Sequence, residues 1–140
     1  TWRAVVLEDA SVKGASPEGW ARAALAAMDR HGADRLVAEV NQGGDLVEKV
    51  VRMIDPLVPF RAVHATRSKL LRAEPVAALY EQGRVAHVRG LAALEDQMVR
   101  MTAAGWQGTD SPDRLDALVW ALTDLMVDPH GQGRPRVRSL

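Results

Sequence analysis

Short apolar runs alternate along the chain with longer stretches in which apolar residues recur every three or four positions. The short runs predict strands at residues 4–7, 35–40, 60–64 and 84–88. The longer stretches predict helices at residues 17–31, 45–54, 67–80, 91–101 and 113–127. Strands that alternate with helices indicate an α/β domain with a largely parallel sheet.

Serine–proline pairs mark two of the predicted helix starts. Ser16 and Ser111 each precede a proline and an acidic residue, and a serine there can accept hydrogen bonds from the main chain of the first turn. Gly32 favours a helix end, whereas Pro75 must start or kink a helical segment. Residues 103–110 are predicted to form a loop.

The length and composition fit one domain followed by a short tail. The 140 residues are 47% hydrophobic and 26% charged, which excludes intrinsic disorder of the whole chain. We expect a domain over residues 1–128 and a flexible basic tail over residues 129–140 that contains Arg134, Arg136 and Arg138. No apolar run reaches the roughly 18–20 residues needed to cross a bilayer, so we expect no membrane association. The absence of cysteine excludes disulfides, thiol nucleophiles and cysteine-ligated zinc.

Glu39 ends an otherwise apolar strand in the stretch AEVNQGG. A carboxylate there is costly to bury unless it is paired or metal-bound, and the carboxyl ends of parallel strands are where open α/β sheets place their ligands. Asn41, Gln42, Gly43 and Gly44 follow and lead into a helix amino terminus, which favours an anion such as a phosphate. The alternative is that Glu39 pairs with an arginine and that the glycines only form the turn.

Asp113 and Asp116 lie three residues apart near the start of the last predicted helix, in SPDRLDALVWAL. This spacing puts both carboxylates on one helix face. The core-facing stripe of the same helix contains Leu115, Leu118, Val119 and Leu122. A helix dipole also favours two carboxylates in the first turns, without any further role. A functional interpretation needs a partner carboxylate from elsewhere, and Glu39 is the best-placed candidate.

Carboxylates in this arrangement suit Mg²⁺ or Mn²⁺, which prefer oxygen ligands and keep bound water. Two such ions about 3.5–4 Å apart can activate a water and stabilise the leaving oxygen in phosphodiester cleavage. The histidines are scattered, and none has the spacing of a zinc motif. We therefore do not expect metal ligation by His31, His64, His87 or His130.

Arg67, Lys69 and Arg72 cluster around the start of the third predicted helix. They form either a basic patch suited to the phosphates of DNA or an ordinary solvated helix face. Among the tryptophans, Trp120 is expected in the core, and Trp106, in a glycine-flanked loop, is either core or an exposed contact.

Taken together, these motifs resemble the nuclease domain of the large terminase subunit of tailed bacteriophages and related gene-transfer particles. The stretches that carry the resemblance follow the family's order and span nearly the whole chain: VLEDAS, ADRLVAEVNQGGDLV, ATRSKLLRAEPVAALYEQGRVAHV, LEDQM and SPDRLDALVWAL. Each stretch is weak on its own, but the ordered set is specific.

The resemblance implies a ribonuclease H-like mixed sheet flanked by helices and an endonuclease that uses two Mg²⁺ or Mn²⁺ ions to cut concatemeric double-stranded DNA. Of the family's three acidic metal-binding positions, the second maps onto Glu39 and the third onto Asp116, with Asp113 as a neighbour that binds metal directly or through water. Lys69 matches a recurrent basic position that contacts DNA. The implied partners are an ATPase motor domain, a portal and a small terminase subunit, in the cytoplasm of the host cell.

The resemblance also predicts what this chain lacks. In the family a first strand with the first metal-binding aspartate lies upstream of the segment that resembles VLEDAS, and an ATPase motor precedes the nuclease. We expect that strand and the motor to be missing here, where no Walker motif occurs, and we do not expect Asp9 to replace the missing aspartate. A missing strand would leave an unpaired sheet edge, which predicts a homo-oligomer formed through that edge, the exchange of an element between copies, or a rearrangement that covers the edge.

Two other functions fit parts of the same pattern. The first is a non-catalytic DNA- or portal-binding module of the same fold, in which the carboxylates are structural. The second is a flavodoxin-like nucleotide-binding domain that uses residues 41–45 for phosphate, which explains the glycines but not the late aspartate pair.

Overall fold

A computed structural model describes residues 2–40 and 45–128. The helices are α1 (Pro17–His31), α2 (Asp45–Ile54), α3 (Lys69–Glu81), α4 (Ala92–Arg100) and α5 (Asp113–Leu122), which continues into a π-helical turn at Thr123–Val127. The strands are β1 (Ala4–Val6), β2 (Leu36–Glu39), β3 (Phe60–Val63), β4 (Val85–His87), β5 (Met101–Thr102) and β6 (Gly105–Trp106). The alternation of strands and helices confirms the α/β class.

Local sequence signals set the ends of α1. The Ser16 hydroxyl accepts a hydrogen bond from the Gly19 N–H at 3.1 Å, and Pro17 occupies the first turn. Gly32 ends the helix in the left-handed region, with a φ of 58° that a residue with a Cβ adopts only at a cost. The structure therefore confirms both predicted boundaries.

The structure excludes one of the two alternatives for Pro75 and corrects the prediction for residues 103–110. Pro75 starts no new segment but lies inside a continuous α3, in which Val76 and Leu79 are buried. The prediction of a loop over residues 103–110 was wrong in part, because β6 pairs with β5 as an antiparallel hairpin, and Gly105, the first residue of β6, has a positive φ. Strands of two residues are too short to give a detectable alternating pattern.

The parallel strands form two separate pairs rather than one continuous sheet. β1 pairs with β4, with Val5 opposite Ala86, and β2 pairs with β3, with Glu39 opposite Val63. Within the described residues no strand joins β1 to β2. A cleft lies between the two pairs.

Each strand pair has its own hydrophobic core. Ala21 of α1, Val51 of α2 and Val58 are almost fully buried and pack with Leu36 and Phe60 on one side of the β2–β3 pair. The second core joins α3, α4 and α5 to β1 and β4. It contains the four predicted stripe residues of α5, together with Val76, Leu91 and Leu94.

A buried carboxylate connects α5, which packs in the core of the β1–β4 pair, to the β2–β3 pair. Asp124 follows α5 and is 6% exposed. Its two oxygens accept hydrogen bonds from Arg35 Nε at 2.7 Å and from Arg61 Nη1 at 2.6 Å. Because Arg35 precedes β2 and Arg61 lies on β3, these ion pairs fix the end of α5 against the β2–β3 pair.

Candidate functional site

A cleft of about 920 Å³ lies between β1, β2 and α5. One wall comes from the start of the chain, including Arg3, Ala4 and Val5. Residues in and next to β2 form another part of the cleft lining, and α5 with the turn after it forms the rest. The lining residues from β2, α5 and their flanking segments include Arg35, Val37, Glu39, Asp113, Asp116, Ala117, Trp120, Ala121 and Asp124.

Both strands that border the cleft have one edge without a described partner. The Leu36 and Val40 N–H groups donate to Pro59 and Val63 of the β3 side. Because main-chain groups of alternate residues point to opposite sides of a strand, those of Val37 and Glu39 point away from β3. The cleft is therefore bordered by main-chain groups as well as by side chains.

On β1, the residue whose main-chain groups point away from the paired strand is Val5. Ala4 N–H donates to Arg84 O at 2.8 Å, and Val6 O accepts from Val88 N–H at 3.1 Å. These bonds hold Ala4 and Val6 to the β4 side, so the main-chain groups of Val5 point away from β4.

Glu39 lies at the carboxyl end of β2, as the sequence predicts, and its side chain is on the cleft side of the strand. Its Oε2 accepts a hydrogen bond from the indole Nε1 of Trp120 at 3.1 Å. Among the described residues, the partner of Glu39 is thus a neutral donor on α5 and not the arginine of the alternative interpretation.

Asp113 and Asp116 line the same cleft from the first turns of α5. Asp113 Oδ1 accepts from the Ser111 hydroxyl at 2.6 Å. Ser111 therefore does not cap α5 as Ser16 caps α1, because the fully buried Pro112 occupies the N-cap position. Asp116 is mostly buried, with 16% of its side chain exposed, and its Oδ2 lies 2.9 Å from Lys69 Nζ.

The three basic residues at the start of α3 lie in different surroundings. Arg67 is exposed before the helix, and Lys69 forms the ion pair with Asp116. The Arg72 guanidinium lies over the Trp120 ring, 4.8 Å from its centroid, and its Nε and Nη1 are buried without a hydrogen-bond partner. The remaining predicted phosphate contacts, Asn41, Gln42, Gly43 and Gly44, lie outside the described residues.

Trp120 is the site residue that the sequence analysis missed. It was expected in the core, but it is half-buried and lines the cleft. The core face of α5 belongs to its leucines and Val119, whereas Trp120 lies one turn beyond Asp116 on the cleft face. The four-residue spacing from Asp116 was the available signal. Trp106, predicted to be either in the core or an exposed contact, is half-buried and donates its indole N–H to Asp110 O.

Asp9 has a structural partner at the start of α5. Its Oδ2 accepts from Arg114 Nε at 2.8 Å, and its Oδ1 accepts from the Ser11 hydroxyl. Burial raises the pKa of Asp9, but the hydrogen bonds from Ser11 and Arg114 outweigh it and hold the pKa below its ordinary value of 3.8. Asp9 thus ties the segment after β1 to α5, outside the cleft.

The carboxylates share a cleft without forming a complete coordination group. No set of three or more acidic, histidine or cysteine side chains close enough to hold a metal ion occurs within residues 2–40 and 45–128. His31 contacts Glu8, and His87 contacts Tyr80, each at 2.6 Å. The donor chemistry nevertheless suits Mg²⁺ or Mn²⁺, since one or two carboxylates with waters suffice to bind Mg²⁺.

None of the described helices is long and apolar enough to cross a membrane. No curated protein and no solved structure matches the sequence. The family profile of the terminase RNaseH-like domain, however, matches residues 3–125. This range includes Glu39, Asp113 and Asp116 of the cleft and the basic residues at the start of α3. This match confirms the predicted ribonuclease H-like fold, and the chain belongs to the terminase RNaseH-like domain family.

Proposed function

We propose that this terminase nuclease-type domain is a divalent-metal-dependent endonuclease that cuts concatemeric double-stranded DNA during viral DNA packaging. Glu39 and Asp116 are its proposed metal ligands, and Asp113 is a further ligand that binds directly or through water. The observation that carries the proposal is that these three carboxylates, from β2 and from the distant α5, line a single cleft.

The carboxylates supply the negative charge and oxygen donors that Mg²⁺ or Mn²⁺ requires. Bound there, such ions supply an activated water and stabilise the leaving oxygen of a phosphodiester. Glu39 and Asp116 approach the cleft from different elements, so a cation between them would complete its coordination with water and with the phosphate of the DNA.

Basic side chains near the cleft are proposed to hold the DNA backbone. Lys69 lies beside Asp116 and is the best-placed cation for the phosphate that is cut, whereas the exposed Arg67 suits a neighbouring phosphate. Arg72 and the 41–44 turn remain proposed contacts. We also propose that the domain works with an ATPase motor domain, a portal and a small terminase subunit in the cytoplasm of the host cell.

Nicking of a supercoiled plasmid in Mn²⁺ by the 140-residue chain tests the catalytic proposal. Glu39→Ala and Asp116→Ala are expected to abolish nicking while the circular dichroism spectrum is retained. Asp96→Ala and Glu18→Ala are matched controls, because both remove exposed carboxylates in ion pairs on other helices. Nicking that persists in both cleft variants would reject these ligands.

A non-catalytic DNA-binding module is the second candidate. The observation in its favour is that the described residues contain no cluster of three metal-binding side chains. Calorimetry separates the two functions: the module predicts DNA binding with no binding of Mg²⁺ or Mn²⁺, and the endonuclease predicts both.

We further propose that a second copy of the chain covers the open edges of β1 and β2. Unpaired strand edges favour association, and those of Val5 and Val37 border the cleft without a described partner. Light scattering coupled to size exclusion should show a dimer. A monomer at all concentrations would contradict this assembly.

A further inference from the structure

Trp120 connects the two elements that carry the proposed metal ligands. It lies four residues after Asp116, so both side chains leave α5 on the same side, and both line the cleft. Its indole N–H also reaches across to Glu39 on β2. We infer that Trp120 is a positioning residue that holds the Glu39 carboxylate toward Asp116, an inference that rests on the proposed metal site.

The chemistry of the donor suits this role. An indole N–H is a neutral donor and cannot accept, so it orients a carboxylate without neutralising its charge. By contrast, the Lys69 ammonium at Asp116 brings a positive charge that a metal ion would have to displace. Trp120 engages Oε2 of Glu39, and no described residue donates a hydrogen bond to Oε1. Within the described part of the chain, Glu39 is thus held through Oε2, and its Oε1 and its negative charge are available to a cation.

The guanidinium of Arg72 stacks on one face of the Trp120 indole ring. The guanidinium lies 4.8 Å from the ring centroid, within the range in which the negative face of the ring attracts a cation. Two of its three nitrogens, Nε and Nη1, are buried and have no hydrogen-bond partner, so the ring is its main contact in the described structure. This stack fixes the plane of the indole and therefore the direction in which Nε1 points.

A packing role alone would not need the N–H group. Phenylalanine retains an aromatic ring for Arg72 to cover but has no donor for Glu39, so Trp120→Phe separates positioning from packing. Trp106→Phe is the matched control, because the Trp106 indole donates to a main-chain carbonyl and does not line the cleft.

Mn²⁺ binding by the 140-residue chain, measured by calorimetry, is the first test. Trp120→Phe should weaken Mn²⁺ binding roughly 10- to 100-fold, as expected for the loss of a hydrogen bond that orients a metal ligand. Trp106→Phe should bind as the wild type does. Wild-type affinity in Trp120→Phe overturns the inference and leaves the metal site standing, whereas a wild type that binds no Mn²⁺ overturns both.

An NMR measurement keeps the inference testable if Trp120→Phe does not fold. The indole N–H signal of Trp120 should shift when Mg²⁺ is added to the wild-type chain, because the ion polarises the carboxylate that accepts this hydrogen bond. The shift should be lost in Glu39→Gln. An indole signal that Mg²⁺ does not move in the wild-type chain, while calorimetry detects binding, overturns the inference.

Discussion

The ammonium of Lys69 lies 2.9 Å from the Oδ2 of Asp116, so a cation already occupies one side of the most buried of the three proposed metal ligands. Lys69 stands at the amino end of α3 and also approaches the Ser111 hydroxyl at 3.5 Å. Asp116 therefore has two candidate cations, the fixed ammonium and a divalent ion from solution. Their competition links the affinity for metal to the nature of residue 69.

Replacing Lys69 by Met should strengthen Mn²⁺ binding and weaken cleavage. The variant keeps the aliphatic chain but removes the competing charge, which is worth about 1 kcal/mol, or about fivefold in affinity, for a partly exposed pair. Calorimetry measures the binding and plasmid nicking measures the cleavage. Lys13→Met, in the exposed segment before α1, is the control that should change neither. Weaker Mn²⁺ binding in Lys69→Met would show that the two cations do not compete.

The Asp124 ion pairs should account for a large part of the stability of the domain. Asp124→Ala leaves the Arg35 and Arg61 guanidinium groups without their buried carboxylate, and we expect a loss of about 3 kcal/mol in the free energy of unfolding. Urea denaturation measures this loss. The exposed Glu18–Arg22 pair is the contrast, because Glu18→Ala should cost less than about 0.5 kcal/mol. Equal losses in the two variants would contradict the clamp between α5 and the β2–β3 pair.

The stability of the domain should fall in acid in part through Asp9. Because the folded state lowers the pKa of Asp9, its ionised form stabilises the fold above pH 3.8, and this contribution is lost as the pH falls through the lowered pKa. Asp9→Asn should remove up to about 1 kcal/mol at neutral pH and flatten the acid limb of the stability curve. Urea midpoints measured from neutral pH to about pH 3 test this. An acid limb as steep in Asp9→Asn as in the control, exposed Asp29→Asn, would contradict it.

Local features of the fold could be predicted from the sequence, whereas contacts between distant elements could not. Ser16 and Gly32 define the ends of α1 through bonds within a few residues, so their pattern is sufficient. The leucine stripe of α5 likewise predicts its buried face. The hydrogen bonds from Trp120 to Glu39 and from Arg35 to Asp124 join residues far apart in the chain, and no local pattern indicates them. Trp120 was assigned to the core because an aromatic residue beside leucines usually packs there.

The candidate site was partly predictable, because some of its features are local in the sequence and others depend on contacts between distant elements. A carboxylate that ends a strand and a pair of carboxylates that begins a helix are local signals, and Glu39, Asp113 and Asp116 do line one cleft. The separation of the basic cluster into an exposed Arg67, a paired Lys69 and a stacked Arg72 depends on where α5 lies against α3. The sequence of α3 alone does not contain that information.

Titration of Mn²⁺ into the wild-type chain, Glu39→Ala and Asp116→Ala, followed by calorimetry, tests most directly whether one ion is shared by β2 and α5. If both carboxylates bind the same ion, the wild type binds Mn²⁺ and either substitution removes that binding. Binding that survives unchanged in either variant would mean that the two carboxylates do not share a cation, and the proposed site would be wrong.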